Sequence, residues 1–253
     1  GDYAIDKLIK IKRKIRSDFG VTCDDMKNFI HSADLGNEHY IHTKYLFPNL
    51  DVCQYGLYAD MNVYAPLEYI FSEIIKVEKN KSVTWIGLII DFWGLKSSVE
   101  KIKLIHSDTL NILYGVRFSC RVKQDNMLSD IIVIGYFMDL ELILSQQIQE
   151  SMDVESCFKI IHGCKGIAVL DYAPYQKEKS DKILSDLKLI GLDGVVVYDV
   201  RYSLNEVARL EYVSADILDL LLTGGSNGQI NSGSLSIDRK TFEIFMSKMK
   251  EYQ

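Results

Sequence analysis

The sequence predicts an α/β domain with a mostly parallel sheet. A (β/α) barrel-like arrangement is preferred, with a doubly wound open sheet as the alternative. Two stretches lead there first. Gly163 to Asp171 and Gly191 to Asp199 are similar pieces, each a glycine-led apolar run that ends in aspartate. Short unbroken runs rich in Val and Ile suit strands buried on both faces. The second observation lies between them. Ile183, Leu184, Leu187 and Ile190 fall at helical spacing with Lys and Asp opposite, and Gly191 follows as a left-handed cap. Strand, helix and parallel strand make a crossover unit. The third is the count: about eight extended runs, mostly alternating with helical patterns, in 253 residues without a Pro/Gly/Ser linker. One domain spanning 1–253 is expected, with 1–35 as an N-terminal helical extension.

Residues 4 to 16 carry Ile5, Leu8, Ile9 and Ile15 along one helix side, with six basic residues around them. Residues 7–16 are therefore a candidate nucleic-acid or protein contact, weighed against a plain solvated face. Asp24 to His31 reads as a short helix. His31, Asp34, Glu38, His39 and His42 are types that ligate metals, but the pattern turns extended there and no site is assigned. Tyr40 to Phe47 and Gln54 to Asp60 read as strands around a Pro48-Asn49 turn. Pro66 opens an amphipathic helix through Ile70, Ile74 and Ile75. Val83 to Phe92 is a strongly apolar strand, and Val99, Ile102 and Ile105 return to helical spacing. Asn111 to Val122 and Asp130 to Met138 are extended and joined by a polar link, a hairpin that would be an antiparallel excursion or a sheet edge. Leu140 to Met152 reads as a helix. After the two aspartate-ended pieces come a short helix (204–210), an apolar run from Asp216 to Leu222 that suits strand or helix, a Thr223-Gly-Gly-Ser-Asn-Gly228 loop, and a closing helix from Asp238 to Tyr252.

Composition bounds the function. Apolar content of 47% and charged content of 25% are those of an ordinary globular protein. A net charge of −6 argues against coating nucleic acid with the whole surface. The five cysteines are dispersed without a CxxC pair, which predicts buried or free thiols in a reducing compartment. No apolar run reaches about 18 residues and the first residues lack a signal-peptide core, so no membrane span and a cytoplasmic location are expected. GxSxG, HExxH, GxGxxG and Walker patterns are all missing.

Chemistry is sought at strand ends, because parallel α/β folds place their sites at the carboxyl edge. Asp60, Asp91, Asp171 and Asp199 each end a predicted strand. Asp171, Asp199 and Asp91 are candidate acid/base groups, and Asp60 with Asp91 a candidate metal pair, for which Mg²⁺ is the candidate cofactor. Arg201 and Gly224, Gly225, Ser226, Asn227 and Gly228 are candidates for gripping an anion, and 226–236 for a lid. Aspartate also starts turns and caps helices, so these residues form a site only if their strands run parallel and end on one side. The leading reading is an α/β enzyme, hydrolase or lyase, acting on a phosphorylated or otherwise anionic small molecule. The alternatives are a metal-dependent phosphodiesterase or nuclease, and a non-catalytic domain binding a partner through its basic N-terminal helix.

Overall fold

The computed structural model describes residues 58–64, 66, 69–78, 83–124, 127–149, 152–171, 180–199, 202, 204–226, 237 and 239–252. The expectations for the N-terminal helix and its basic residues, the histidine-rich segment, the strand at 40–47, Arg201, Asn227, Gly228 and, apart from Ser226, the lid at 226–236 lie outside those residues.

Eight strands form one sheet: β1 (Ala59–Tyr64), β2 (Trp85–Asp91), β3 (Asn111–Gln124), β4 (Met127–Tyr136), β5 (Met152–Asp153), β6 (Ile167–Asp171), β7 (Gly194–Asp199) and β8 (Leu221–Gly225). The helices are α1 (Ile70–Glu78), α2 (Phe92–Lys103), α3 (Leu140–Ser145), α4 (Val154–Gly163), α5 (Ser180–Leu189), α6 (Leu204–Glu211) and α7 (Arg239–Tyr252). A π-helical segment, Tyr212–Ile217, continues α6.

The strand order is β1-β2-β3-β4-β6-β7-β8, with β5 pairing the far part of β3. The first and last strands lie against each other, so the sheet is a nearly closed barrel and not a doubly wound open sheet. The expectation of a mostly parallel sheet is corrected. β4 is antiparallel to both its neighbours, β3 and β6, and the sheet is mixed. The link from Gln124 to Met127 is far too short for a crossover, which takes about a dozen residues, so the two runs must pair antiparallel. Their hairpin sits in the middle of the sheet, not at its edge. Two antiparallel steps cancel, and β1, β2, β3, β6, β7 and β8 all run the same way.

Alternation along the strands sorts the core into two layers. Leu88, Ile90, Val116, Phe118, Val133, Leu170, Val195 and Val197 face outward and meet helix residues such as Ile74, Leu95, Phe158 and Leu184. Ile89, Ile134, Tyr136, Ile167, Val169 and Val196 face inward. At the strands' starting end, α7 plugs the barrel. Its Phe242 ring lies 5.1 Å from that of Trp85 and 5.4 Å from that of Tyr58, and Phe245 meets Tyr136 edge-on at 5.3 Å. The opposite end, where the parallel strands finish, is the mouth.

Several boundaries differ from the sequence reading. The helix from Leu140 stops at Ser145, because Gln146 is extended and the chain runs on into β5. β1 begins at Ala59, so Asp60 stands near the start of a strand and not at its end. The register passes from Asp60↔Ile86 to Val63↔Leu88, so Met61 and Asn62 share the place opposite Gly87. Such a bulge frees a backbone group, and the Met61 carbonyl accepts the Tyr136 hydroxyl at 2.6 Å. The expected cap after α5 is present. Gly191 has φ +113°, its N–H reaches Lys188 O, and Leu192 N–H reaches Leu187 O, which is the Schellman pattern. Cys120, Cys157 and Cys164 are buried and unpaired. No helix among the described residues is long and apolar enough to cross a membrane.

Gly191→Ala is expected to cost about 1–2 kcal/mol, since a Cβ is disfavoured at positive φ. A thermal melt showing no loss would contradict the cap. Tyr136 gives a pH test. Its phenol is pushed well above the ordinary value of 10.0, chiefly by burial and then by the negative charges of Asp171 and Asp60. Below about pH 10 both states keep the proton and no stability is lost on this account. Above it the unfolded chain ionises first, and stability falls until the folded phenol titrates. Tyr136→Phe should flatten that alkaline loss by up to about 1.4 kcal/mol per pH unit. At neutral pH it should cost about 1–3 kcal/mol for the Met61 carbonyl left without its partner. Urea titrations at pH 7 and above pH 10 measure both.

Candidate functional site

Because the six parallel strands share a direction, Asp91, Asp171 and Asp199, each the last residue of its strand, come to the mouth. Register also places all three on the inner face. Asp91 pairs with Arg117, which pairs with inward Ile134. Asp171 pairs with Ile132, two residues from Ile134. Asp199 pairs with Gly225, two residues from Thr223, which pairs with inward Val196. Their exposures differ sharply: the Asp91 side chain is 50% exposed, whereas Asp171 and Asp199 are buried.

Asp60 plays another part. It is fully buried at the seam between β1 and β8. Ser226 donates its backbone N–H to Asp60 Oδ1 at 3.0 Å and its hydroxyl to Oδ2 at 2.7 Å. Both carboxylate oxygens are thus used in closing the barrel. Gly224 and Gly225 belong to β8 rather than to a loop. A Cβ on Gly224 would strike the Tyr198 backbone, and one on Gly225 would strike Asp60 Oδ1 and Asn62 N. The glycines permit close strand approach. Of the expected anion-gripping loop, only Ser226 among the described residues lies beyond the strand, and it is spent on Asp60. Next to this seam, Asn62 Nδ2 and Thr223 Oγ1 are buried without a hydrogen-bond partner among the described residues.

At the end of β2 and beside the middle of β3 the mouth opens into a cavity of about 460 Å³. Asp91 and Arg117 line it with Phe92, Trp93, Phe118 and Ser119. β3 pairs with β2 only as far as Arg117; beyond it, β5 takes over at Cys120 and Arg121 and brings Met152 to the cavity. The Tyr64 hydroxyl donates to Asp91 Oδ2 at 2.6 Å. Arg117 Nη1 lies 3.6 Å from Asp91 Oδ1, and its guanidinium stands 4.6 Å from the Tyr64 ring centre. The Tyr64 phenol is raised by partial burial and by the Asp91 carboxylate that accepts its hydrogen bond.

The sequence reading did not single out Arg117, Tyr64 or Asn62. For Arg117 a signal existed. It stands among apolar residues, in phase with Gly115 and opposite in facing to Val116 and Phe118, so a charged side chain alternates into the barrel.

A hard cation takes several oxygen ligands, and a catalytic zinc takes about three protein ligands. No group of three or more His, Cys, Asp or Glu that could hold a metal ion occurs among the described residues. The expected Asp60–Asp91 pair does not offer one, because Asp60 is committed to Ser226 and Asp91 faces a guanidinium. Among the described residues, the side chains at the mouth do not fit a divalent metal centre.

No family model matches the chain, and no curated protein matches it. Solved structures do. A provisionally assigned metal-dependent phosphoesterase from Bifidobacterium adolescentis superposes with a TM-score of 0.56 at 15% identity, covering 75% of this chain and 96% of that one. An amidohydrolase from Chromobacterium violaceum, solved with bound sulfate and no metal, superposes with a TM-score of 0.53 at 11% identity, covering 75% and 96%. At these identities the likeness is one of fold: this chain has the barrel-like α/β architecture of those two proteins.

Proposed function

We propose that the chain is a hydrolytic α/β barrel enzyme that takes a phosphorylated or otherwise anionic small molecule at its mouth. The observation that carries this reading is Arg117, set beside the half-exposed Asp91 in a cavity large enough for a small ligand. A guanidinium has five N–H donors in a planar fork suited to phosphate oxygens. At 3.6 Å the Asp91 contact is longer than a hydrogen bond, so the carboxylate does not occupy the fork. The Tyr64 ring, its centre 4.6 Å from the guanidinium, adds a cation–π contact. Aromatic walls at Phe92, Trp93 and Phe118 supply apolar contact.

In this reading Arg117 binds the anion and Asp91 is the acid/base group. Asp91 is the one of the three rim aspartates with a largely solvent-accessible carboxylate, and the Tyr64 hydroxyl orients it. Asp171 and Asp199 end their strands at the same rim, are buried and do not line the cavity; their proposed part is to orient a ligand hydroxyl or water there. Arg201, Asn227 and Gly228 follow the ends of β7 and β8 in sequence and are proposed as further anion contacts. Hydrolysis is favoured over elimination because the solved neighbours are assigned as a phosphoesterase and an amidohydrolase.

Charge-assisted hydrogen bonds contribute about 1.5–3 kcal/mol, so Arg117→Ala should weaken binding of phosphate or a phosphomonoester by about 10- to 150-fold. Arg117→Lys should fall between, keeping charge without the fork. Asp91→Asn should retain binding while turnover of a phosphoester panel is lost. Calorimetric titration and a phosphate-release assay read the two effects. Unchanged affinity in Arg117→Ala would refute the site.

A further inference from the structure

We infer that this mouth holds its anion without a divalent cation, the Arg117 guanidinium supplying the positive charge that a metal would otherwise bring. The inference rests on the reading of the mouth as an anion site. Its ground is the chemistry of the donors. Asp60 is fully buried and gives both oxygens to Ser226. Asp91 gives Oδ2 to the Tyr64 hydroxyl and turns Oδ1 toward Arg117, so a cation bound there would sit against a like charge. Asn62, beside the seam, has its amide nitrogen unpaired among the described residues, and an amide nitrogen is a donor group that does not ligate a hard cation.

Among the described residues, imidazole is missing from the mouth as well; His31, His39 and His42 lie outside them. His106 follows α2 and precedes β3, which places it at the plugged end of the barrel. His162 is at that same end, where its Nε2 lies 2.8 Å from Asp193 Oδ2 and the Asp193 carboxylate also accepts from Ala168 N–H. In sequence, the stretches that follow the strand ends offer little more. Residues 65–69 after β1 contain one acid, Glu68, Arg201 follows β7, Asn227-Gly228-Gln229 lies beyond β8, and residues 172–179 after β6 contain one acid, Glu178, flanked by Lys177 and Lys179. Carboxylates do gather at the rim, but the groups nearest the cavity have been turned toward a fixed cation of the protein itself. A guanidinium stays charged at all working pH values and needs no metal loading.

The test uses the full chain, dialysed against chelator, with inorganic phosphate as probe. Phosphate affinity is measured by calorimetry in EDTA and again with millimolar Mg²⁺, Mn²⁺ or Zn²⁺. The expected result is an affinity that changes less than about twofold between these conditions and falls at least about tenfold in Arg117→Met. Near-UV circular dichroism of Arg117→Met, and of Arg117→Lys as the charge-keeping variant, confirms that both are folded. Binding that appears only with a metal, or that drops tenfold on chelation, overturns the inference while leaving the mouth an anion site. Binding under no condition overturns both. Arg117→Met with unchanged affinity also overturns both.

Discussion

The barrel depends on one seam. Its sheet runs as a continuous hydrogen-bonded path from β1 to β8, but β8 and β1 meet without a ladder among the described residues. Two devices take its place. Ile237 exchanges backbone hydrogen bonds with Ala59 and so covers the start of the β1 edge. Farther along, Asp60 accepts both donors of Ser226. A carboxylate with no solvent exposure is costly unless its oxygens are hydrogen-bonded, and here each oxygen has a donor from Ser226, directly after the strand it must hold. Gly225 is required because any side chain at that point would enter the carboxylate. With β8 fixed there, β1 continues past its bulge to the rim, and Tyr64 reaches Asp91.

The direction of the strands follows from the β3–β4 hairpin. One antiparallel strand inserted into a parallel barrel would reverse everything after it unless the next pairing reversed again. β6 does so against β4, and the rim aspartates of β2, β6 and β7 share an end. The same hairpin overhangs β2 and β6. Its extra length, paired by β5, forms one wall of the mouth cavity. The site's shape is therefore a consequence of the feature that breaks the ideal α/β pattern.

Much of this was legible in the residues. Asp91, Asp171 and Asp199 end apolar runs whose length and composition announce buried strands, and all three reach the mouth. Asp60 misled because the residues that continue its strand, Asn62 and Tyr64, are polar at the positions that serve the site, while the bulge spoils the alternation. The run therefore seemed to stop where the strand begins. Gly224 and Gly225 misled for the opposite reason. A Gly-Gly-Ser-Asn-Gly string has the composition of a loop, yet its first two glycines answer the close packing of Tyr198 and Asp60. That packing is a long-range fact, invisible in a local window. Lys165 illustrates the same limit: the left-handed position after α4 is held by a lysine at φ +62°, not by Gly163 or Gly166.

Energetics separate the aspartates that build the fold from the one best placed to act. Asp60 is dictated by stability, since replacing it would strand two Ser226 donors in a dry seam. The Asp91–Arg117 pair has no comparable justification. It is long at 3.6 Å, its members are 50% and 29% exposed, and partly solvated ion pairs of that kind contribute on the order of 0–1 kcal/mol. A barrel strand would be at least as stable with an apolar residue in place of Arg117, as its neighbours Val116 and Phe118 are. A cation turned into the mouth, 4.6 Å from a tyrosine ring centre and only loosely engaged by its carboxylate, is the group on which the proposed anion site depends.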